Sequence, residues 1–549
     1  MSKPFLSLCI AAAALAAFHT SSPQHRRIER RDPRIVAASA QPNAATAVTA
    51  GGHARSQPLP PALAFMQPGV FQMPACVAGS GRDFRVGPGQ PYTELDQVPW
   101  DTLAAGDTVR IFHRPAAYRG KILIAAVGTA TAPVRVCGIK SQVGERPVID
   151  GENAVARRGL SYTAASQANI QETRSLIMID RLGTQDWATA APAYIQVDGL
   201  ELRGQHPRNT FTNSLGAVQN YVEFGACIWI ERGRNIVIAD NVVHDCTNGI
   251  FSKSVDYADA LITRNLRLAG NHIFDNGVVG VESIHNTYIQ TVGVVYEFNT
   301  YGPLRPGATG NALKDRSVGA TIRYNRIEEG AHAIDLVEAE DYTSVANADP
   351  TYRLAYVYGN QIVKTGDTGT FIHYGGDHYG CYPGCSEANF RKGTLYFWNN
   401  TVIANGKSAA LFQLSTTEET AEVWNNVFVF ANTVTYPSMR QSSEVTSPWV
   451  PGGVLHLGTN WINGNWADSD PWHPVPGTLS GAANLVTGTA SPVDLQTLVP
   501  LAGGAAIDAS QTDLAGVSAH PLQFQLAPRG IGVVRTTHGT KRDLGAVER

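Results

Sequence analysis

Along most of the chain, apolar and polar residues alternate over strand-length pieces, and each run breaks at an asparagine before a second short apolar pair. The unit recurs as Val237-Ile-Ala-Asp-Asn241-Val-Val, Leu266-Arg-Leu-Ala-Gly-Asn271-His-Ile, Val295-Tyr-Glu-Phe-Asn299, Ile322-Arg-Tyr-Asn325-Arg-Ile, Tyr356-Val-Tyr-Gly-Asn360-Gln-Ile-Val, Leu395-Tyr-Phe-Trp-Asn-Asn400-Thr-Val-Ile and Val423-Trp-Asn-Asn426-Val-Phe-Val. Its asparagines stand 30, 28, 26, 35, 40 and 26 residues apart, a spacing that means stacked repeats instead of independent domains. A period of two is a strand period, and no helical periodicity dominates the body. Each unit therefore reads as one turn of a parallel β-helix whose neighbours supply its hydrogen bonds. Asparagine suits the bend because it tolerates the left-handed conformation and its amide can bond the next turn's asparagine. Leucine-rich repeats and propellers are the rivals, but they bring a Leu-x-Leu ladder or a Trp-Asp signature.

The ends point the same way. The stretch from Tyr92 to Ile111, with Tyr118-Arg-Gly, Pro133-Val-Arg-Val and Val148-Ile-Asp-Gly151, resembles the opening turns of secreted right-handed parallel β-helix proteins. Ala506-Ile-Asp-Ala and Asp543-Leu-Gly-Ala-Val-Glu548 resemble their last segment. The expectation is an all-β, single-stranded right-handed parallel β-helix of about 10–13 turns. It fills one domain over 69–549, with an N-terminal cap, a C-terminal closing segment and a long loop in the Trp/Pro-rich stretch from Trp449 to Pro476.

Composition narrows the function. Charged residues are 16%, glycines number 53 and net charge is -3, against roughly 25% charged in ordinary domains. So few charges disfavour solvated helical faces, and the near-neutral balance argues against nucleic acid as a partner. The start, Met1-Ser-Lys3 followed by an apolar run to Ala17, reads as a signal peptide over 1–17, leaving no membrane span after cleavage. Residues 18–68 read as a disordered linker. The implied location is secreted or periplasmic, and a monomer is expected. Beyond Cys9, six cysteines remain, and chain order permits Cys76–Cys137, Cys227–Cys246 and Cys381–Cys385 among the fifteen possible pairings. Zinc is the rival for Cys381 and Cys385, without a second close cysteine pair to complete the site.

Charges concentrate on the strand that closes several successive turns: Gly280-Val-Glu282-Ser-Ile-His285-Asn286, Asn311-Ala-Leu-Lys314-Asp315-Arg316, Ala333-Ile-Asp335-Leu-Val-Glu338-Ala-Glu340-Asp341 and Thr370-Phe-Ile-His373-Tyr-Gly-Gly-Asp377. Adjacent turns lie about 4.8 Å apart, so Glu282, Lys314, Asp335 and His373 are expected to form one column, with Arg316, Arg323 and Glu338 beside it. The alternative is a set of surface ion pairs, which contribute little stability.

The run Asn311-Ala-Leu-Lys314-Asp-Arg316-Ser followed by Arg323-Tyr-Asn325 resembles the Lys-Ser strand and Arg-Tyr-Asn bend of polysaccharide lyase family six, the alginate lyases and chondroitinase B. The resemblance implies a lyase that cleaves an acidic, uronate-containing polysaccharide by β-elimination. It puts Lys314 in the base position and a neutralising arginine one turn later; there this chain has Ile334-Asp-Leu-Val337 where the family has Leu-Arg-His-Gly, so Arg316 or Arg323 takes that role. Building charge on a uronate needs cations or Ca²⁺, expected at Glu282, Asp335 and Glu338, while a neutral base takes the proton. Lysine is protonated at neutral pH; Arg316 would lower its pKa and Asp315 or Asp335 raise it. His285 and His373 are alternative bases needing smaller shifts. Asn311, Glu282, Asp335 and Glu338 are expected to bind substrate. Tyr288, Tyr301, Tyr324 and Tyr374 either stack on sugar rings or serve as ladder residues. Other readings stay open. Carboxylates among Glu282, Asp335, Glu338, Glu340 and Asp341 suit a glycoside hydrolase, Asp377-His378 is similar to the Asp-Pro-His element of mannuronan epimerases, and a non-catalytic carbohydrate-binding surface protein remains.

Overall fold

Alternating strands stack into three long parallel sheets of 13, 11 and 11 strands, each chain turn contributing one strand to each sheet in order. The molecule is seen in a computed structural model that describes residues 66–67, 70–164, 171–379, 386–469, 474–527 and 531–549. The expected signal peptide, nearly all of the expected linker and the Cys381–Cys385 pair lie outside them. Sheet lengths of 11 to 13 strands match the expected number of turns. Among the described residues, no helix is long and apolar enough to cross a membrane.

The asparagines form a buried ladder at the corner between the first and second sheets. The Nδ2 of Asn271 donates to Asn299 Oδ1 at 3.0 Å, Asn299 to Asn325 at 3.0 Å, Asn325 to Asn360 at 3.0 Å and Asn360 to Asn400 at 2.9 Å. Each amide also donates to a carbonyl of the preceding turn, and each Oδ1 accepts the neighbouring rung's backbone N–H, as at Asn325. Every polar atom of these buried side chains is thereby used, which is the condition for placing an amide in a core.

Two expectations need correction. The left-handed residue is the one before the ladder asparagine, at Asp240, Gly270, Phe298, Tyr324, Gly359, Asn399 and Asn425, with φ between 50° and 66°. The asparagine itself stays out of that region because its side chain must point inward to reach the next rung. The stretch from Trp449 to Pro476 is not a long loop: Val454–Leu457, Asn460–Asn463 and Ala467–Ser469 add a further turn, and Asn460 accepts from Asn426 at 2.8 Å as another rung.

The solenoid interior is a continuous apolar core of Val, Ile, Leu and Phe. Outside the first sheet, Phe298, Tyr324, Tyr358, Trp398 and Trp424 pack under Val517, Phe524 and Leu526, so the C-terminal segment runs back along the flank. Asp543 and Leu544 bond to Asp508 and Ala506, and Gly545 to Asn425. The disulfides Cys76–Cys137 and Cys227–Cys246 form as expected.

Candidate functional site

In the third sheet, parallel register aligns Trp229, Phe251, Tyr288, Lys314, Asp335, His373 and Gln413 on successive strands. Residues on either side of these positions, such as Leu313, Ile334, Leu336 and Ile372, point into the core, so alternation turns the column outward. The column is aromatic up to Tyr288 and polar from Lys314 onward. Lys314, Asp335 and His373 fall in one line, as expected. Glu282 does not: it is exposed in the turn beside the Val278–Val281 bridge, and Tyr288 takes the in-register position.

A loop covers the polar stretch. Asp377, just after the Ile372–Tyr374 strand, meets Lys314 Nζ with Oδ2 at 2.5 Å and Arg316 NH2 with Oδ1 at 2.8 Å. Arg316 also donates to Tyr288 OH at 2.9 Å and reaches Glu338 Oε2 at 3.2 Å. Glu338 pins the loop by accepting the backbone N–H of Asp377 at 3.0 Å and of His378 at 3.1 Å. The His378 ring lies 2.7 Å from Glu338 and 3.0 Å from Glu340. Asp335 accepts Asn311 Nδ2 at 2.6 Å, lies 3.3 Å from Lys314, and meets His373 Nδ1 at 2.8 Å. His373 Nε2 in turn meets Ser415 Oγ at 3.1 Å, and Ser415 reaches the Gly376 carbonyl at 2.9 Å.

These are not the surface pairs of the bland alternative, because Lys314, Arg316, Asp335 and Glu338 are all buried. Burial alone would lower the Lys314 pKa, but Asp377 and then Asp335 outweigh it and hold the ammonium above its ordinary range. Burial raises and Lys314 and His373 lower the Asp335 carboxyl, leaving it well below the usual range. Asp377 is likewise held low by Arg316 and Lys314 against burial. Burial pushes His285 well below its ordinary value, and its Nδ1 accepts the Asn311 N–H at 2.9 Å. Glu340, opposed by burial but facing Arg316 and His378, falls to about 2, whereas burial and Glu340 push the neighbouring Asp341 up to about 6. Buried charges cost desolvation and rarely add stability, and such shifted groups concentrate at functional sites.

Other expected residues lie elsewhere. Arg323 belongs to the first sheet, where it pairs with Glu297 at 2.7 Å and Tyr358 at 3.0 Å, too far round the solenoid to share the column. Asp315 points inward to Tyr296 OH at 2.7 Å and Arg391 at 2.8 Å, so it does not face Lys314. Tyr288, Tyr301, Tyr324 and Tyr374 are all buried and offer no ring face to solvent. Asp377, His378, Ser415 and His332 complete the site from loops and strand ends, where no periodic signal marks them.

With Glu282 in its exposed turn, the three carboxylates expected to hold Ca²⁺ are not brought together. Among the described residues, two other groups, His332–Asp335–His373 and Glu338–Asp377–His378, each bring ligand atoms within 4.8 Å. In the first, His332 Nδ1 accepts the Thr370 N–H at 3.1 Å, so in the neutral ring the other nitrogen carries the proton and has no lone pair to give. In the second, the carboxylates are already engaged by Arg316, Lys314 and two backbone N–H groups. The donor sets do not fit a resident Ca²⁺.

No protein-family model and no curated protein matches the chain. Among solved structures, a pectate lyase, Pel9A, aligns over 85% of this chain and 96% of its own at 10% identity and a TM-score of 0.39. A GH136 lacto-N-biosidase from Eubacterium ramulus aligns over 75% and 68% at 11% and 0.38. An alginate lyase from Paenibacillus aligns over 74% and 99% at 13% and 0.27. The β-helix stands on the strand register above, not on these scores.

Proposed function

We propose that the polar stretch of the third-sheet column is the active site of an exported enzyme that cleaves an acidic, uronate-containing polysaccharide by β-elimination. One observation carries the reading: Lys314, on the Leu313–Asp315 strand, and Arg316, just past its end, grip both oxygens of a single carboxylate on the solvent side of the site. That is the arrangement needed to neutralise a uronate carboxylate while its C5 proton leaves. The two disulfides agree with an oxidising compartment.

Because Lys314 is held as an ammonium, its part in the proposal is neutralisation, and the base is His373. Asp335 orients its Nδ1–H, so Nε2 carries the lone pair, which meets Ser415 Oγ at 3.1 Å and has to exchange that contact for the C5–H when substrate binds. His373 takes the C5 proton, those electrons form the C4–C5 double bond, the C4–O bond breaks, and the departing oxygen takes a proton from water. Hydrolysis is the second reading, favoured by the split between ionised Glu340 and the raised Asp341. Incubation with a panel of uronate polysaccharides separates the two: β-elimination gives an ultraviolet-absorbing unsaturated end, hydrolysis only new reducing ends.

A further inference from the structure

The carboxylate that Lys314 and Arg316 grip belongs to the protein. Asp377 offers both oxygens to them, with Oδ2 at 2.5 Å from Lys314 and Oδ1 at 2.8 Å from Arg316. Unlike Asp335 and Glu338, whose side chains are 2% and 3% exposed, the Asp377 side chain is 21% exposed. It therefore covers the two cations from the side on which a ligand would arrive.

The loop under Asp377 is fixed by contacts that do not involve its side chain. Glu338 holds the backbone N–H of Asp377 and His378. Ser415 Oγ holds both the N–H of Gly376 at 2.9 Å and its carbonyl at 2.9 Å. A Cβ on Gly376 would stand 2.0 Å from the Phe390 ring, so the loop sits as close to the solenoid as glycine allows. The cations are also fixed without Asp377, since Asp335 keeps Lys314 and Glu338 and Tyr288 keep Arg316. What these contacts leave free is one short carboxylate, which also faces the His378 ring at 3.0 Å, over a pair of cations held from below.

We propose that Lys314 and Arg316 form a carboxylate-binding subsite that Asp377 fills in the resting protein, and that a uronate carboxylate enters by displacing the Asp377 side chain. This rests on the uronate reading above and adds a specificity element to it. A neutral sugar offers no charge to replace the displaced carboxylate, and taking one of its anionic partners from each of two buried cations is costly, so Asp377 acts as a filter against uncharged sugars. An anionic sugar restores both contacts as it enters, and charge-assisted pairing of this kind is strong and geometrically selective.

The test is calorimetric titration of the full chain with sodium D-glucuronate and, separately, with its uncharged methyl ester. Asp377→Asn keeps the side chain's shape and one acceptor oxygen for the cations, and Asp377→Ala is carried beside it in case one variant folds poorly, with folding checked by circular dichroism. The folded variant is expected to bind glucuronate at least tenfold tighter than wild type, and the methyl ester, no longer excluded by Asp377, is expected to gain as well. Adding Lys314→Ala to that variant is expected to abolish the gain. Equal or weaker glucuronate binding by a folded variant, or a wild type that binds the methyl ester as tightly as glucuronate, overturns the proposal. If the gain is found but wild type yields no unsaturated product from any uronate polymer, the β-elimination reading falls and the subsite stands.

Discussion

Asp335 and His373 sit on adjacent turns in register, joined by a 2.8 Å contact between carboxylate and Nδ1. The same carboxylate faces Lys314 and accepts from Asn311. Asp335→Asn keeps the shape but removes the charge that sets the His373 tautomer. The expected result is a fall in kcat of about 10²–10⁴-fold with KM changed little, read from steady-state kinetics on whichever uronate polymer is cleaved.

Lys314→Arg separates the two parts a lysine could play. Arginine stays charged at any working pH and cannot act as base. If Lys314 neutralises charge, Lys314→Arg retains activity within about tenfold, while Lys314→Ala loses about a hundredfold or more. Equal loss in both variants would return the base role to Lys314.

The ladder gives a stability prediction. Asn360 donates to Ile322, Tyr358 and Asn400 and accepts two bonds from Asn325. Asn360→Ala strands several buried groups at once, each costing about 1–3 kcal/mol. Urea unfolding is expected to show a loss of at least about 3 kcal/mol.

Asp341 gives a pH dependence with a definite sign. Burial and Glu340 raise its folded pKa to about 6, above the value near 4 expected in the unfolded chain. The folded state thus holds the proton more tightly, and this contribution to stability is full below about pH 4 and lost as pH rises through about 6. Asp341→Asn removes the loss, so thermal melting should show the variant gaining about 1–2 °C on wild type at pH 7 relative to pH 4.

The ladder was legible because every rung from Asn241 to Asn426 needs the same side chain at one corner, whatever the turn length. The rung at Asn460 was hidden by the tryptophans and prolines around it. The left-handed position was misplaced by one residue, since Phe298 and Tyr324 carry no local cue for that conformation and hold it only through tertiary packing. In the site, Lys314, Asp335 and His373 were legible from alternation and repeat. Glu282 was misread because a turn intervenes before the Thr287–Ile289 strand, which puts Tyr288 in register. Arg323 was misread because a sequence window does not say which sheet a strand joins. Asp377 and Ser415 act from a loop and a strand end, where the repeat carries no information.

The most direct test of the active-site claim is ultraviolet absorbance of the unsaturated uronate end during incubation with a panel of uronate polysaccharides, for wild type beside His373→Gln. The account predicts a steady rise with wild type on at least one polymer and no comparable rise with the variant. New reducing ends without that absorbance, or an undiminished rise with His373→Gln, would contradict it.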